Sequence, residues 1–210
     1  MRTPLLFVHG LGETPKHWDS VIEQLNDVEA LTPDLFGQLA GGRWALCEKT
    51  DTLAESLSEP THVAGLSLGA IMGLDLAIRH PRKVRSLFLS APQARPPQAL
   101  MRVQSFLMRL LPERLICPPG ITRKQLLDIL RQVSAIDLEA ELSQISVPTT
   151  IACGAKDRAN LGAARSISNE ILDARLIVVP KAGHLWHQTN PVSFANELKA
   201  HLEWSKLQRG

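Results

Sequence analysis

Five residues, Gly65-Leu66-Ser67-Leu68-Gly69, lie between an apolar run, Thr61-His62-Val63-Ala64, and a helix-period stretch from Ala70 to His80. Small–x–Ser–x–small at that junction predicts a strand that turns into a helix with almost no loop between them. The turn forces the serine backbone into a poorly populated φ/ψ region, and it brings positions 65 and 69 so close that a Cβ at either would collide. The serine hydroxyl is then lifted clear of the sheet, beside the positive end of a helix.

The rest of the chain agrees with such a unit. Short apolar runs alternate with helical patterns, as expected for a parallel sheet covered on both faces. The candidate strands are Leu5–Val8, Val28–Thr32, Thr61–Ala64, Val84–Leu89, Thr149–Cys153 and Leu176–Val179. They are nearly continuous in hydrophobicity, as strands buried on both sides should be. Helices are expected at Pro15–Leu25, about Leu53–Ser58, Leu68–His80, Leu161–Leu172 and Pro191–Leu202, two of them behind Thr14-Pro15 and Asn190-Pro191 starts.

From Ala91 to about Ser146 the alternation stops. Prolines punctuate two or three amphipathic helices, with Met101, Phe106, Leu107, Leu110 and Leu111 on one face and Leu126, Leu127, Leu130 and Val133 on another. The expected organisation is a core of residues 1–90 and 147–210 with a helical cap inserted at 91–146. Core-covering helices are the plainer alternative.

Bulk composition narrows the function. With 210 residues, 44% of them hydrophobic, the chain can bury one sizeable core. A net charge of +2, with no basic run interleaved with aromatics, argues against nucleic acid. The first apolar run is too short for a signal peptide, and no run is long enough to span a membrane. Cys47, Cys117 and Cys153 are odd in number and lack metal-ligand spacing, so neither a disulfide framework nor a metal site is expected. A reduced, cytoplasmic location fits these features.

Acyl transfer by serine needs a nucleophile, a base, an orienting acid and donors for the oxyanion. Each has a candidate at a strand end, where open α/β sheets gather ligands. Ser67 is the nucleophile candidate, although the position also suits a plain helix N-cap. His184, in Lys181-Ala182-Gly183-His184 after the last strand, is the base candidate. His187 competes with it; His9 suits a loop tie, His80 a helix end, and His17, His62 and His201 lie on helix or strand patterns. Asp157, in Cys153-Gly154-Ala155-Lys156-Asp157, is the acid candidate. Asp34 is its alternative in a turn-like segment, and Asp137 lies within the presumed cap. The N–H groups of Leu11 and Leu68 are the expected oxyanion donors, the first in a loop made permissive by Gly10 and Gly12.

With these residues in place the chain resembles the α/β-hydrolase fold superfamily, in its small, capped, esterase-like branch. The resemblance rests on Phe7-Val8-His9-Gly10-Leu11-Gly12, Pro33-Asp34-Leu35-Phe36-Gly37, the serine turn, Cys153 to Asp157 and Ala182-Gly183-His184, in the family's order. It implies a mostly parallel sheet of about six strands flanked by helices, and a Ser67, Asp157, His184 triad. Two departures stand out. The family usually begins with two further strands before the His-Gly strand, whereas the first strand expected here is Leu5–Val8 itself. Gly37 is followed by Gln38-Leu39-Ala40-Gly41-Gly42 instead of the usual Gly-x-Gly ending.

The expected activity is cofactor-independent hydrolysis of a carboxylic ester or thioester through an acyl-enzyme. Carbon–carbon bond cleavage on the same residues, or a non-catalytic ligand-binding module, are the alternatives. Met101, Met108 and Trp186 are candidate contacts for an apolar acyl chain. Arg95, Arg102, Arg109, Arg114, Arg123, Lys124 and Arg131 face only Glu113 and Asp128 between positions 95 and 131. They form either a solvated helix face or a surface that steers an anionic or carrier-linked substrate.

Overall fold

A computed structural model describes residues 2–36, 44–117 and 121–208. Among them, strands β1 (Thr3–Val8), β2 (Val28–Leu31), β3 (Thr61–Leu66), β4 (Val84–Ser90), β5 (Thr149–Gly154) and β6 (Ala174–Val179) form one parallel sheet in the order β2-β1-β3-β4-β5-β6. The chain moves from β1 outward to β2, then crosses back to place β3 on the other side of β1. That reversal opens a crevice beyond the carboxyl ends of β1 and β3, where the register pairs Val8 with Gly65.

Side chains alternate across the pleat, and the four central strands find apolar cover on both faces. The edge strands β2 and β6 are only partly buried, against the expectation for their runs, because each has a neighbour on one side only among the described residues. Leu6, Val8, Val63, Leu87, Leu89 and Ile151 pack on one side with α2 (Leu46–Ser56), α3 (Leu68–Arg79) and α7 (Arg158–Glu170). Leu5, Phe7, Ala64, Leu66, Phe88 and Ala152 pack on the other with Trp18, Val21, Trp186 and Phe194. Trp18 ends a 3-10 turn (Pro15–Trp18) leading into α1 (Asp19–Ile22), while α8 (Trp186–Thr189) and α9 (Pro191–Leu207) carry the last two aromatics.

The six expected strands are all found, and α9 starts where Asn190-Pro191 predicted, with the Asn190 side chain accepting from Ser193 N–H at 3.3 Å. The second helix begins at Leu46, earlier than its apolar spacing indicated, because its first turn carries the exposed Cys47 and Glu48 and its next buried position is a threonine, Thr50. The Gln38–Gly42 turn and Pro118-Pro119-Gly120 lie outside the described residues.

Between β4 and β5 run α4 (Gln98–Leu110), α5 (Glu113–Ile116), α6 (Arg123–Val133) and a 3-10 helix, Glu139–Gln144. Helix α6 buries Leu126, Ile129, Leu130 and Val133. The apolar face expected on α4 is only partly covered. Met101 is buried, but Phe106 and Leu110 are exposed, because the helix packs chiefly on α6 and presents its far side to solvent. No helix of the described residues is long and apolar enough to cross a membrane.

Candidate active site

Ser67 lies between β3 and α3, as the N-cap residue of the helix, with φ 52° and ψ −112°, a left-handed conformation that a serine tolerates only under constraint. The constraint is visible in its neighbours. A Cβ on Gly65 would lie 2.5 Å from the Gly69 carbonyl oxygen, and one on Gly69 would overlap the Val8 carbonyl. Glycine at both positions therefore allows the turn to close onto β1. Ser67 N–H donates to Ser90 O at 2.9 Å, anchoring the turn to the end of β4.

Asp157 stands at the N-terminus of α7 after β5, and His184 in the loop after β6. Their side chains meet: His184 Nδ1 lies 2.7 Å from Asp157 Oδ2. The carboxylate is 5% exposed and the imidazole 37%, so the acid is sheltered while the ring stays partly open to solvent. Asn160 Nδ2 donates to both carboxylate oxygens, at 2.8 and 3.0 Å. Burial pushes the Asp157 carboxyl up, but the hydrogen bonds from His184 and Asn160 more than offset it. The group is held below its ordinary value and stays ionised.

Two contacts bring the separate loops to one place. Trp186, two residues after His184, donates its indole N–H to Ser90 Oγ at 2.8 Å, so Ser90 holds both the serine turn and the histidine loop. Gly10 packs against the nucleophile candidate: a Cβ there would be 3.6 Å from Ser67 Cβ. The Gly10–Gly12 loop thus faces Ser67, and Leu68 contributes one of the first free N–H groups of α3.

Other candidates go elsewhere. His9 is fully buried; its Nδ1 donates to Gly10 O at 2.9 Å and its Nε2 accepts from Leu35 N–H at 3.2 Å, the loop tie expected of it. Asp34 forms an Asx turn with Phe36 N–H at 3.0 Å. His187 faces Glu13, not Asp157. Trp186 corrects an expectation: it is 1% exposed and packed on Phe194 at 4.5 Å, so it belongs to the core and offers no wall to an acyl chain. Met101 does line a cleft of about 1270 Å³ between α4 and α6, with Trp44, Arg102, Phe106 and Arg109. Met108 is half-buried against the core, and neither it nor Ser67, Asp157 or His184 is part of that lining.

A second serine–histidine contact lies in the interior. Ser86 Oγ is 2.7 Å from His201 Nε2 and 2.6 Å from His62 Nδ1, while Thr150 Oγ1 is 2.8 Å from His201 Nδ1 and accepts from Arg175 Nε at 2.9 Å. Both His201 nitrogens are taken by hydroxyls, leaving none for an orienting carboxylate. Ser86 is fully buried, and burial pushes the His201 imidazole down to about 3. This cluster satisfies buried polar groups and has no route to a substrate.

Sequence reading missed Asn160, Ser90 and Glu13. An asparagine three residues after a helix-starting aspartate was a detectable sign of the first; the other two are joined to the site only by long-range packing.

The alpha/beta hydrolase family model matches residues 5–197. A pimeloyl-[acyl-carrier protein] methyl ester esterase of Neisseria meningitidis serogroup C is 25% identical, over 92% of this chain and 82% of its own. The esterase of the same name from Chromobacterium violaceum is 28% identical, over 73% of this chain and 74% of its own. Among solved structures, a hydrolase from Pseudomonas aeruginosa superposes with a TM-score of 0.84 at 23% identity, covering 96% of this chain and 90% of that one. The enol-lactonase of Burkholderia xenovorans gives 0.82 at 19%, covering 97% and 92%. These two likenesses speak to the fold.

Proposed function

The chain belongs to the alpha/beta hydrolase family, and from that premise we propose that it is a serine hydrolase of carboxylic esters or thioesters working through Ser67, His184 and Asp157. The observation that carries the proposal is the 2.7 Å contact between His184 Nδ1 and Asp157, in a loop that shares Ser90 with the strained Ser67 turn.

With Nδ1 engaged by the carboxylate, His184 offers Nε2 as the base. Ser67 Oγ attacks the substrate carbonyl as Nε2 takes its proton, and the leaving alkoxide or thiolate departs with that proton. Asp157 keeps the ring in the required tautomer and stabilises the imidazolium. The N–H groups of Leu11 and Leu68 receive the oxyanion, each worth roughly 2.7–4 kcal/mol of transition-state stabilisation. Water, deprotonated by Nε2, then cleaves the acyl-enzyme and regenerates Ser67. No step draws on a cofactor.

Residues 91–146 are read as a cap over the crevice. Arg102, Arg109, Lys124 and Arg131 border the cleft between α4 and α6 against a single carboxylate among the described residues, Asp128, which pairs with Arg131. This surplus of positive charge supports steering of an anionic or carrier-linked substrate. The Neisseria and Chromobacterium relatives are named for such a carrier-linked ester. The test is turnover of a short-chain p-nitrophenyl ester. Wild type is expected to release nitrophenol in a burst followed by steady turnover, and Ser67→Ala to show neither. Turnover without any covalent intermediate would refute the acyl-enzyme.

A further inference from the structure

Glu13 is a carboxylate with only 5% of its surface exposed, and the reaction as proposed does not use it. Its two oxygens face different loops. Oε2 accepts from Gly10 N–H at 2.8 Å. Oε1 accepts from Gln188 Nε2 at 2.5 Å and lies 3.0 Å from His187 Nε2. Gly10 opens the loop that carries Leu11, while His187 and Gln188 follow His184 by three and four residues.

The peptide between Gly10 and Leu11 is fixed from the same side. Gly10 O accepts from His9 Nδ1 at 2.9 Å and from Glu13 N–H at 3.2 Å. In a trans peptide the carbonyl and the N–H point in opposite directions, so holding Gly10 O turns Leu11 N–H the other way. Glu13 therefore grips Gly10 through backbone and side chain at once. The fit is close: a Cβ on Gly10 would come within 2.9 Å of Glu13 Oε2. At the other end, His187 is fully buried, with ring centroids 4.7 Å from Trp18 and 6.1 Å from Phe194, so its side of the contact is held by the core.

We infer that Glu13 is a positioning residue: its carboxylate clamps the Gly10–Leu11 oxyanion loop to the loop of His184, so that the oxyanion donor and the base are held in register. The inference rests on the proposed roles of Leu11, Ser67 and His184. Burial pushes the Glu13 carboxyl up, but His187, the Gly10 N–H and Gln188 outweigh it and hold the group below its ordinary value, as expected for a permanently ionised tie. A buried carboxylate bonded to both loops is costly to leave half-satisfied, so the two loops gain little by moving separately.

The test compares wild type, Glu13→Gln and Gln188→Ala on folded, active-site-titrated protein. Glutamine at 13 keeps an acceptor for Gly10 but presents an amide donor to Gln188 and His187, breaking the second grip. Glu13→Gln is expected to lower kcat for an ester on the order of tenfold to a hundredfold with KM little changed. Its affinity for phenylboronic acid, which mimics the tetrahedral oxyanion, should fall by the same factor as kcat/KM. Gln188→Ala, on an exposed side chain, removes one bond and should give a smaller loss in the same direction. In the double variant that loss should not add to that of Glu13→Gln. A lower melting temperature with unchanged kcat and boronate affinity would overturn the clamp, as would fully additive losses. If Glu13→Gln does not fold, Gln188→Ala decides alone: unchanged kcat and boronate affinity overturn the clamp. A wild type that neither turns over esters nor binds the boronate would instead refute the proposed site, a result separable from a Glu13 variant that behaves as wild type.

Discussion

Ser67 holds a φ of 52° that costs about 1–3 kcal/mol for a residue bearing a Cβ. The cost is met by anchoring: a hydrogen bond to Ser90 on one side and glycine at 65 and 69 on the other. Ser67→Ala keeps the backbone and the Cβ, so it should reduce ester turnover on the order of 10⁴-fold or more while barely moving the melting temperature. Asp157→Asn leaves the shape of the acid but donates toward Nδ1 and imposes the wrong tautomer, for an expected loss of about 10³–10⁴-fold. Asp34→Asn, in an Asx turn near His9, should cost far less. The opposite ranking would move the acid to Asp34.

At the scale of elements, α8 and α9 carry the histidine loop because their aromatics are locked into the sheet. Phe194 is fully buried and contacts Trp18, Phe88 and Trp186 at ring centroids of 5.3, 5.2 and 4.5 Å. Phe194→Ala should destabilise by about 3–5 kcal/mol, checked by urea unfolding. Helix α4 is held differently. Arg123 reaches back to donate to the carbonyls of Met108, Arg109 and Leu111 at its C-terminal end, and Arg95 pairs with Asp137 and Glu139. Those two arginines are structural, and Arg131 pairs with Asp128. Of the cations that remain on the cleft with Lys124, Arg102 and Arg109 both stand on α4 and are the candidates for steering. Charge reversal at both should lower kcat/KM for a carboxylate-bearing or carrier-linked ester and flatten its salt dependence. Insensitivity to salt and to reversal would return α4 to the role of a solvated face.

Strands were legible because burial on both sides leaves runs such as Leu5–Val8 with no polar interruption, and the serine turn was legible because its steric demand is local. Trp186 was misplaced for the opposite reason: whether a tryptophan faces substrate or core depends on Ser90, 96 residues away. Glu13 was invisible for the same reason. The half-covered face of α4 shows the limit of periodicity, which marks an apolar stripe without saying what lies against it.

At the scale of the molecule, buried histidines couple stability to pH. The His201 imidazole is pushed down to about 3 by burial, then by His62 and Arg175, and burial lowers His9 as well. Between the ordinary histidine value of about 6.5 and about 3, the unfolded chain binds a proton at His201 that the folded chain refuses. Stability is therefore full above pH 6.5 and falls as acid is added, by an upper limit of roughly 5 kcal/mol for this one group. Urea midpoints measured from pH 7.5 down to 4.5 should fall accordingly, and less steeply in His201→Gln. An equally steep fall in the variant would remove His201 as the cause.

Ser67, presented by its strained turn and served by His184, is proposed as an activated nucleophile. Intact-mass spectrometry after treatment with a fluorophosphonate, on wild type and Ser67→Ala shown to be folded by circular dichroism, tests it most directly. One adduct on wild type and none on the variant is the predicted result. No adduct on folded wild type, or an adduct that persists in Ser67→Ala, would contradict the account.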